Sequence, residues 1–347
     1  MRIASIAAKL PSLRISNQQI LESFQTNNEN LPRELVGRYQ REVAILLHRC
    51  GSETRYLRDR RGGETVMDLV KDAMSTALVN AGLDAQQIDL LIYCGVSKGF
   101  IEPANAYLFA NALKMNCQCF DISDACMGWA RSLEVVYSLM RAGLIKNAMV
   151  ITPEFMAYEY GFDRIFKITS PNQMEYTFPL YTVGEGTTAT VLVASDNDWN
   201  FHFRSAPGMA TRCTLPLAGY EEFCENDGRI GLNGVNGFVS FGLDLQRSAI
   251  EYLPQLIGET IPDVQVPDLW FPHTTTLEPY RRVALGLNIH PEKVYTKGFP
   301  AYGNLVSASI PTAMHLAIEQ GKLRRGHNVV LCPASAGMSY ATVQFRF

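Results

Sequence analysis

Long apolar runs alternate with segments of helical period along most of the chain. Residues 65–83 have the period of an amphipathic helix that closes near Gly82, and the apolar run 89–94 follows as a buried strand. The same order returns with a helix over 125–143 and a strand over 148–152. This alternation predicts an α/β protein.

The second half of the chain repeats the order of the first. A helix over about 243–257 leads to a strand over 268–273, and a helix over about 305–320 leads to a strand over 328–332. The sequence GLDAQQIDLLIYCG in the first half is similar to TIPDVQVPDLWFPH in the second. Self-similarity over half a chain indicates an internal duplication and not a short-period solenoid.

The two copies meet near the polar cluster Ser195-Asp196-Asn197-Asp198, which follows an apolar strand over 189–194. We therefore predict an N-terminal half over residues 1–196 and a C-terminal half over residues 197–347. No low-complexity linker separates them, so we expect the halves to share one core.

The composition narrows the function classes. The 347 residues include 31 Lys and Arg against 34 Asp and Glu, and a net charge of −3 gives no electrostatic case for nucleic acid. No apolar run approaches the roughly 18 residues of a membrane span, and Lys9 interrupts the apolar start too early for a signal peptide. Charged residues are only 19% of the chain, which favours a compact body with a large subunit interface.

Eight cysteines are scattered through apolar segments without a CxxC pair, which is typical of reduced thiols in a cytoplasmic protein. Cys126 differs from the rest because a buried strand and a short turn precede it and an amphipathic helix follows it. The free N–H groups and the dipole of a helix start favour a thiolate over a thiol. From position alone, a nucleophile and an inert core cysteine remain equally good interpretations of Cys126.

The second copy has polar residues that can take part in catalysis at a strand end and before a helix, as the first copy has Cys126. His273 ends the strand Trp270-Phe271-Pro272, and Asn304 precedes the next helix. A duplicated fold brings strand ends and helix starts of this kind together, at the edge of the sheets where α/β proteins bind ligands. The histidines outside this setting are more typical of structural residues.

The sequence resembles the β-ketoacyl-ACP synthase III branch of the thiolase-fold condensing enzymes, a branch of the thiolase superfamily. The similarity runs almost from end to end and is carried by these motifs: GSETRYL at 51–57, DACMGW at 124–129, VGEGTTATVLVAS at 183–195, LNG at 232–234, PH at 272–273, YGNLVSASIPTA at 302–313 and the SAGMSYATVQFRF terminus. The separations of 147 residues from Cys126 to His273 and 31 from there to Asn304 suit the family's Cys-His-Asn triad.

The resemblance implies a thiolase fold, with duplicated βαβαβαββ halves in a five-layered αβαβα arrangement, and a homodimer. It implies that Cys126 accepts an acyl group from an acyl-CoA or an acyl carrier protein. The second thioester then becomes a carbon nucleophile, stabilised by His273 and Asn304. The backbone N–H groups of Cys126 and Ala336 would form the oxyanion hole, and no metal or prosthetic group is required.

Glu102 departs from the enzymes that initiate fatty-acid synthesis, which have an aromatic residue at this place. The Glu102-Pro103 pair resembles the head-to-head acyl-CoA condensing enzymes of olefin biosynthesis. In those, the glutamate reaches across the dimer and is the base of a non-decarboxylative Claisen reaction. A carboxylate in an apolar pocket can have a raised pKa suited to this role, and an ordinary loop glutamate is the alternative.

Several residues are candidates for substrate binding. Arg49 matches an arginine with which relatives hold CoA, whereas Ile45 replaces their accompanying tryptophan. Other cations would then help to hold the phosphopantetheine arm, and the sequence offers Arg55, Arg58, Arg60 and Arg61 or Arg281 and Arg282. For most of these, a solvated surface position is the expected alternative. Trp129 and Phe100 indicate a shaped apolar pocket near the nucleophile.

The segment 154–182 is rich in aromatic residues, which include Phe155, Tyr158, Tyr160, Phe162, Phe166, Tyr176, Phe178 and Tyr181. Exposed aromatics at this density need covering, so the segment either packs over the body of its own chain or forms a dimer contact or a tunnel wall.

Three functions are compatible with these residues. The first is condensation of an acyl thioester with a second acyl or malonyl thioester to a β-ketoacyl product, in lipid or specialised metabolism. The second is acyl transfer from Cys126 to an oxygen or nitrogen acceptor, in which Asn304 would matter less. The third is a non-catalytic partner subunit of a heterodimeric synthase, against which the presence of all three triad residues argues.

Overall fold

The computed structural model describes residues 1–158 and 164–347, and its strands and helices alternate as the sequence pattern predicts. The strands are β1 Arg2–Lys9, β2 Leu13–Ser16, β3 Thr54–Leu57, β4 Leu90–Tyr93, β5 Gln118–Asp121, β6 Asn147–Ile151, β7 Thr187–Val193, β8 Trp199–Ser205, β9 Cys213–Thr214, β10 Val239–Ser240, β11 Leu269–Pro272, β12 Asn328–Cys332, β13 Ala334–Ser335 and β14 Ser339–Arg346. The helices are α1 Asn17–Asn27, α2 Arg33–Cys50, α3 Val66–Ala81, α4 Asn105–Ala112, α5 Gly128–Arg141, α6 Met174–Thr177, α7 Gly242–Thr260, α8 Glu278–Gly286, α9 Gly298–Tyr302 and α10 Ser309–Glu319.

Two predicted helices begin differently from the pattern. The predicted helix over 125–143 consists of a 3-10 turn, Ala125–Met127, followed by α5, and the one over 305–320 consists of the turn Val306–Ala308 followed by α10. The first residue of each turn has a positive φ, +44° at Ala125 and +49° at Val306. Left-handed backbone is uncommon outside glycine, and its presence at corresponding places in both halves accounts for the two shortened helices.

The two main sheets have the same construction. In the first, the strand order is β5-β4-β6-β7-β1. Strands β4, β5 and β6 are parallel, and β7 is antiparallel to both of its neighbours, β6 and β1. In the second, β11 and β12 are parallel, and β14 lies antiparallel between β12 and β8. A parallel bridge from Val294 to Trp270 takes the place that β5 has in the first sheet. The internal duplication is therefore confirmed.

The helices form three layers around the two sheets. Apolar residues of α5 and α10 pack between the sheets in the largest buried cluster, which includes Trp129, Leu133, Met314 and Phe271. Helices α3 and α4 cover the outer face of the first sheet, and α7 and α8 cover that of the second. This is the five-layered αβαβα arrangement of the thiolase fold.

The first sheet is built from residues 2–193 and the second from residues 199–346. The two sheets bury their inner faces against the same pair of helices, α5 and α10. We keep the division into halves at residue 196 as a proposal.

Aromatic residues of the 154–182 segment pack inside their own chain. Phe166 and Tyr181 contact Phe24 of α1, with ring centroids 5.4 and 5.2 Å from the Phe24 ring. This favours the packing interpretation for the buried members of the segment. Tyr160 and Phe162 lie outside the described residues.

Candidate active site

The Cys126 turn lies between the end of β5 and the start of α5. The Met127 N–H donates to the Asp124 carbonyl at 2.9 Å and to the Ser335 hydroxyl at 3.2 Å. A Cβ at Gly128 would lie 2.7 Å from the Cys94 carbonyl oxygen, so only glycine lets the helix start approach the end of β4 this closely. The turn therefore sits against the carboxyl ends of the parallel strands.

The pKa of the Cys126 thiol depends mainly on its burial. The side chain is partly buried, and burial raises the pKa of the thiol well above its ordinary value, with the nearby Cys213 and Glu154 adding to the rise. A hydrogen bond with Ser335 opposes the shift without cancelling it. Desolvation of the anion therefore opposes the thiolate that the helix start favours, and the nucleophile role of Cys126 stays a prediction.

His273 follows β11 and is 2% exposed. Within the described part of the chain, neither of its ring nitrogens has a hydrogen-bond partner. Burial lowers the pKa of the imidazole to about 4, so His273 is neutral near pH 7. A neutral imidazole has one donor and one acceptor, and both remain for a substrate.

Asn304 is held by the backbone on both sides. Its N–H donates to the Thr182 carbonyl at 2.8 Å, and its carbonyl accepts from the Gly184 N–H at 3.0 Å. Its Oδ1 accepts from the Val306 N–H at 2.9 Å. Because the amide oxygen is engaged, the side-chain NH₂ is the group that this orientation offers to a ligand.

Gly303 makes the position of Asn304 possible. It has φ +73°, and a Cβ there would lie 2.3 Å from the Thr182 carbonyl oxygen. Any other residue would push Asn304 away from the turn that ends at Thr182.

The Cys126 turn and the segment after Asn304 are in direct contact, and the His273 segment is linked to Cys126 through Tyr280. The Cys126 turn packs against the Val306–Ala308 turn, two residues beyond Asn304. Tyr280 donates a hydrogen bond to the His273 carbonyl and lies within electrostatic range of Cys126. Ala336 directly follows β13, which also packs against the Cys126 turn, so its predicted place beside the nucleophile agrees with the packing.

Glu154 is a site residue that the sequence analysis missed. It lies three residues beyond the end of β6, has no exposed surface, and accepts hydrogen bonds from the Ser307 hydroxyl at 2.5 Å and the Ser307 N–H at 3.1 Å. Burial raises the pKa of its carboxyl group to about 7. A glutamate three residues after a buried parallel strand could have indicated a site residue, because the carboxyl ends of such strands meet at one edge of the sheet.

Cys213 is a second thiol that lies near the nucleophile. It belongs to β9, lies within electrostatic range of Cys126, and burial raises its own pKa to about 11. The sequence analysis did not single out this cysteine.

Glu102 lies away from these residues, on an exposed loop between β4 and α4. Phe100, in the same loop, is half exposed. The apolar pocket that we expect around the Glu102 carboxylate is absent from the described part of its own chain, so the pocket would have to belong to a second subunit. The base role of Glu102 stays a prediction.

Trp129 and Arg49 lie in different surroundings. Trp129 is fully buried between the sheets, and its indole N–H donates to the Thr190 hydroxyl at 3.1 Å. Arg49 is exposed in the last turn of α2, and the Cys50 carbonyl beside it accepts a hydrogen bond from the N–H of Leu277, which precedes α8. Their predicted roles in substrate binding stay predictions.

Two of the candidate phosphopantetheine cations are buried structural residues. Arg55 is fully buried and donates to the Asn17 side chain and the Ser52 hydroxyl. Arg58 is buried against Glu185, with Nε 3.2 Å from the carboxylate. Neither can reach a substrate, and the prediction was wrong for both. The remaining candidates, Arg60, Arg61, Arg281 and Arg282, are exposed.

Residues 1–158 and 164–347 contain no helix that is long and apolar enough to cross a membrane. The same residues contain no group of three or more His, Cys, Asp or Glu side chains placed to hold a metal ion.

Two models of one protein family match the chain. The model described as 3-oxoacyl-[acyl-carrier-protein (ACP)] synthase III matches residues 120–206, and its C-terminal counterpart matches residues 263–347. The first match includes Cys126, and the second includes His273 and Asn304. The chain is a β-ketoacyl-ACP synthase III-like enzyme of the thiolase superfamily. This confirms the resemblance, and the synthase III-like enzyme is a condensing acyltransferase.

Relatives of this synthase III-like enzyme share its whole architecture. The β-ketoacyl-[acyl-carrier-protein] synthase III of Fusobacterium nucleatum is 28% identical over 82% of this chain and 84% of its own. The structure of Xanthomonas campestris OleA with bound lauric acid and lauroyl-CoA has a TM-score of 0.81 at 20% identity, over 99% of this chain and 98% of its own. The synthase III structure from Aquifex aeolicus has a TM-score of 0.79 at 22% identity, over 100% and 99%. Enzymes of this family act on thioesters without a metal or prosthetic group.

Proposed function

We propose that the enzyme joins two acyl thioesters, from acyl-CoA or an acyl carrier protein, into a β-ketoacyl product through an acyl group on Cys126. Two observations carry the proposal. The buried, neutral His273 has ring nitrogens that are unpaired within the described residues, and the Cys126 turn packs against the turn that follows Asn304. Buried polar atoms without partners are rare, and a bound carbonyl oxygen would satisfy the imidazole donor.

The first half-reaction is acyl transfer to sulfur. Cys126 Sγ attacks the thioester carbonyl carbon, the carbon–sulfur bond to the carrier breaks, and the thiol proton leaves with the carrier thiol. The N–H groups of Cys126 and Ala336 stabilise the tetrahedral oxyanion. Burial raises the pKa of the Cys126 thiol and so favours its neutral form in the free enzyme.

The second half-reaction is a Claisen condensation. The second acyl thioester loses an α-proton to a base, and its enolate oxygen accepts hydrogen bonds from His273 and the Asn304 amide. The enolate carbon attacks the acyl-Cys126 carbonyl, and the Cys126 thiolate leaves.

We further propose that the functional unit is a homodimer in which Glu102 of one subunit is the base for the site of the other. Exposure of the Glu102 loop, with Ile101 90% exposed at its tip, supports a covering second copy. Because a two-fold interface is reciprocal, each subunit would complete the other's site.

Intact-mass spectrometry tests the first step. The enzyme is incubated with acyl-CoAs of increasing chain length, and the protein should gain the mass of one acyl group. Cys126→Ala should gain none, whereas the matched control Cys213→Ala should still be acylated. Full labelling of Cys126→Ala would overturn the nucleophile assignment, and an ester or amide product would overturn condensation.

Complementation tests the second step. As homodimers, Cys126→Ala should be inactive in condensation and Glu102→Gln should keep only a small residual rate. When they are co-expressed, mixed dimers contain one site with both residues, so roughly a quarter of the wild-type activity should return. Wild-type activity of Glu102→Gln would remove the glutamate from the mechanism.

A further inference from the structure

The loop that carries Glu102 is anchored at its base by one buried amide side chain. Asn105, the first residue of α4, is 3% exposed. Its Oδ1 accepts hydrogen bonds from the N–H groups of Gly99 at 3.1 Å and Phe100 at 3.3 Å. Its Nδ2 donates to the Phe100 carbonyl at 2.9 Å. These bonds join the two ends of the loop over residues 99–105.

A carboxylate ties this anchor to the strand of the nucleophile. Asp121, the last residue of β5, accepts from Asn105 Nδ2 at 2.9 Å and from the Asn105 N–H at 3.0 Å. It also accepts from the Ala106 N–H at 3.1 Å, at the start of α4, where the helix dipole favours a negative charge. Five residues beyond Asp121 the chain reaches Cys126. The loop base is therefore hydrogen-bonded to the end of the strand that leads to the nucleophile.

The tip of the loop contrasts with its base. Phe100 is 50% exposed, Ile101 is 90% exposed, and Glu102 and Pro103 are also exposed. Tyr107, one turn into α4, is exposed as well. Exposed apolar side chains on a loop that is anchored by buried hydrogen bonds are typical of a contact with a second protein surface.

We propose that Asn105 is a positioning residue: with Asp121, it holds the 100–103 tip in the direction that delivers Glu102 to the acyl site of the partner subunit. This inference rests on the proposed homodimer and on the base role of Glu102. Only an amide can supply this set of bonds, because it accepts from two N–H groups with its oxygen and donates to a carbonyl and a carboxylate with its nitrogen. A displacement of the base by about 1 Å can lower the rate of proton transfer by about a hundredfold. The hydrogen bonds of Asn105 would therefore affect the rate of condensation through the position of Glu102.

A double-mutant cycle tests the proposal. Asn105→Ala, Glu102→Gln and the double variant are compared with the matched control Asn111→Ala, an exposed asparagine on the same helix. Acylation of Cys126 by dodecanoyl-CoA is followed by intact mass, and condensation by mass-spectrometric detection of the β-ketoacyl-CoA product. Asn105→Ala should acylate at the wild-type rate within about twofold, because that step needs one subunit, and should condense about tenfold or more slowly.

The decisive comparison is made in the Glu102→Gln background. If Asn105 acts by placing Glu102, the Asn105→Ala change costs nothing further once the base is gone. An equal loss of condensation in both backgrounds, or a matching loss of acylation, would overturn the positioning role. If Glu102→Gln condenses normally while Cys126→Ala is inactive, the base assignment fails and this inference fails with it, but the nucleophile assignment stands.

Asn105→Asp repeats the comparison should the alanine variant unfold. Its carboxylate keeps the acceptor for the Gly99 and Phe100 N–H groups but loses the donor and faces Asp121 with like charge. The same pattern is expected: acylation is retained and condensation is lost only in the presence of Glu102. Condensation at the wild-type rate in a folded Asn105→Asp would also overturn the proposal.

Discussion

The carboxyl group of Glu154 accepts a hydrogen bond from the Ser307 hydroxyl at 2.5 Å and thereby joins the end of β6 to the turn that follows Asn304. The contact links the two halves of the chain beside the nucleophile, since Glu154 also lies within electrostatic range of Cys126. A second bond, from the Val96 N–H at 3.2 Å, adds the loop after β4. One buried acid therefore connects three segments of the site.

Glu154 should make the enzyme less stable as the pH rises. Burial raises the folded-state pKa from 4.5 to about 7, so the folded protein holds a proton that the unfolded chain releases in this window. The free energy of unfolding should fall between pH 4.5 and 7 by roughly 3 kcal/mol from this group. Glu154→Gln removes the titration, so urea unfolding at pH 5 and pH 8 should show a smaller loss in the variant. The exposed control Glu221→Gln should behave as wild type, and an equal pH effect in Glu154→Gln would contradict the prediction.

The charge of Glu154 should also slow the reactions of Cys126. An ionised Glu154 raises the pKa of the thiol, so Glu154→Gln should lower that pKa and increase the rate of alkylation by iodoacetamide at pH 8.5. The rate is measured by intact mass, with Cys126→Ala defining the labelling of the other cysteines. A rate that is unchanged or lower in Glu154→Gln would show that the carboxylate does not act on the nucleophile.

His273 should produce the opposite pH dependence. Burial lowers the folded-state pKa from 6.5 to about 4, so the unfolded chain binds a proton that the folded protein excludes in this window. The stabilisation is present above pH 6.5 and is lost as the pH falls toward 4, by roughly 3 kcal/mol. His273→Asn should therefore lose less stability than wild type between pH 7 and pH 4.5 in urea unfolding. The exposed control His48→Asn should not differ from wild type, and a His273→Asn curve parallel to wild type would refute the burial argument.

Arg58 should matter for stability and Arg61 should not. Arg58 donates to the Glu185 carboxylate and to the Phe155 carbonyl at 3.0 Å, and both side chains of the ion pair are buried. Arg58→Met leaves Glu185 without this partner, so the free energy of unfolding should fall by about 3 kcal/mol or more. Arg61 is exposed, and Arg61→Met should change the urea midpoint little. Equal midpoints for the two variants would mean that the buried pair contributes nothing.

Much of the fold could be predicted from the pattern of the sequence. The strands β4, β6, β11 and β12 and the helices α3, α5, α7 and α10 fall where the apolar runs and helical periods predict them. The 3-10 turns before α5 and α10 were not predictable, because helical period does not report the left-handed residues Ala125 and Val306. These turns are the segments that present the nucleophile and the residues after Asn304.

The candidate site was predictable where residue type and place in the duplicated pattern agreed. Cys126, His273 and Asn304 satisfy that condition, and the family resemblance singled out the same three. Glu154 was missed because its partner Ser307 is 153 residues away, and no local pattern pairs them. Arg58 was misjudged because a basic residue near a surface motif gives no sign that Glu185, 127 residues away, is buried against it.

By itself, the amino-acid sequence determined the α/β duplication, the family and the residue types that meet at the strand ends, since these depend on periodicity and local chemistry. Only the tertiary structure decided the charge states of Cys126, Glu154 and His273, and which arginines are buried. The physical reason is desolvation: the cost of a charge depends on how much water distant segments exclude from around it.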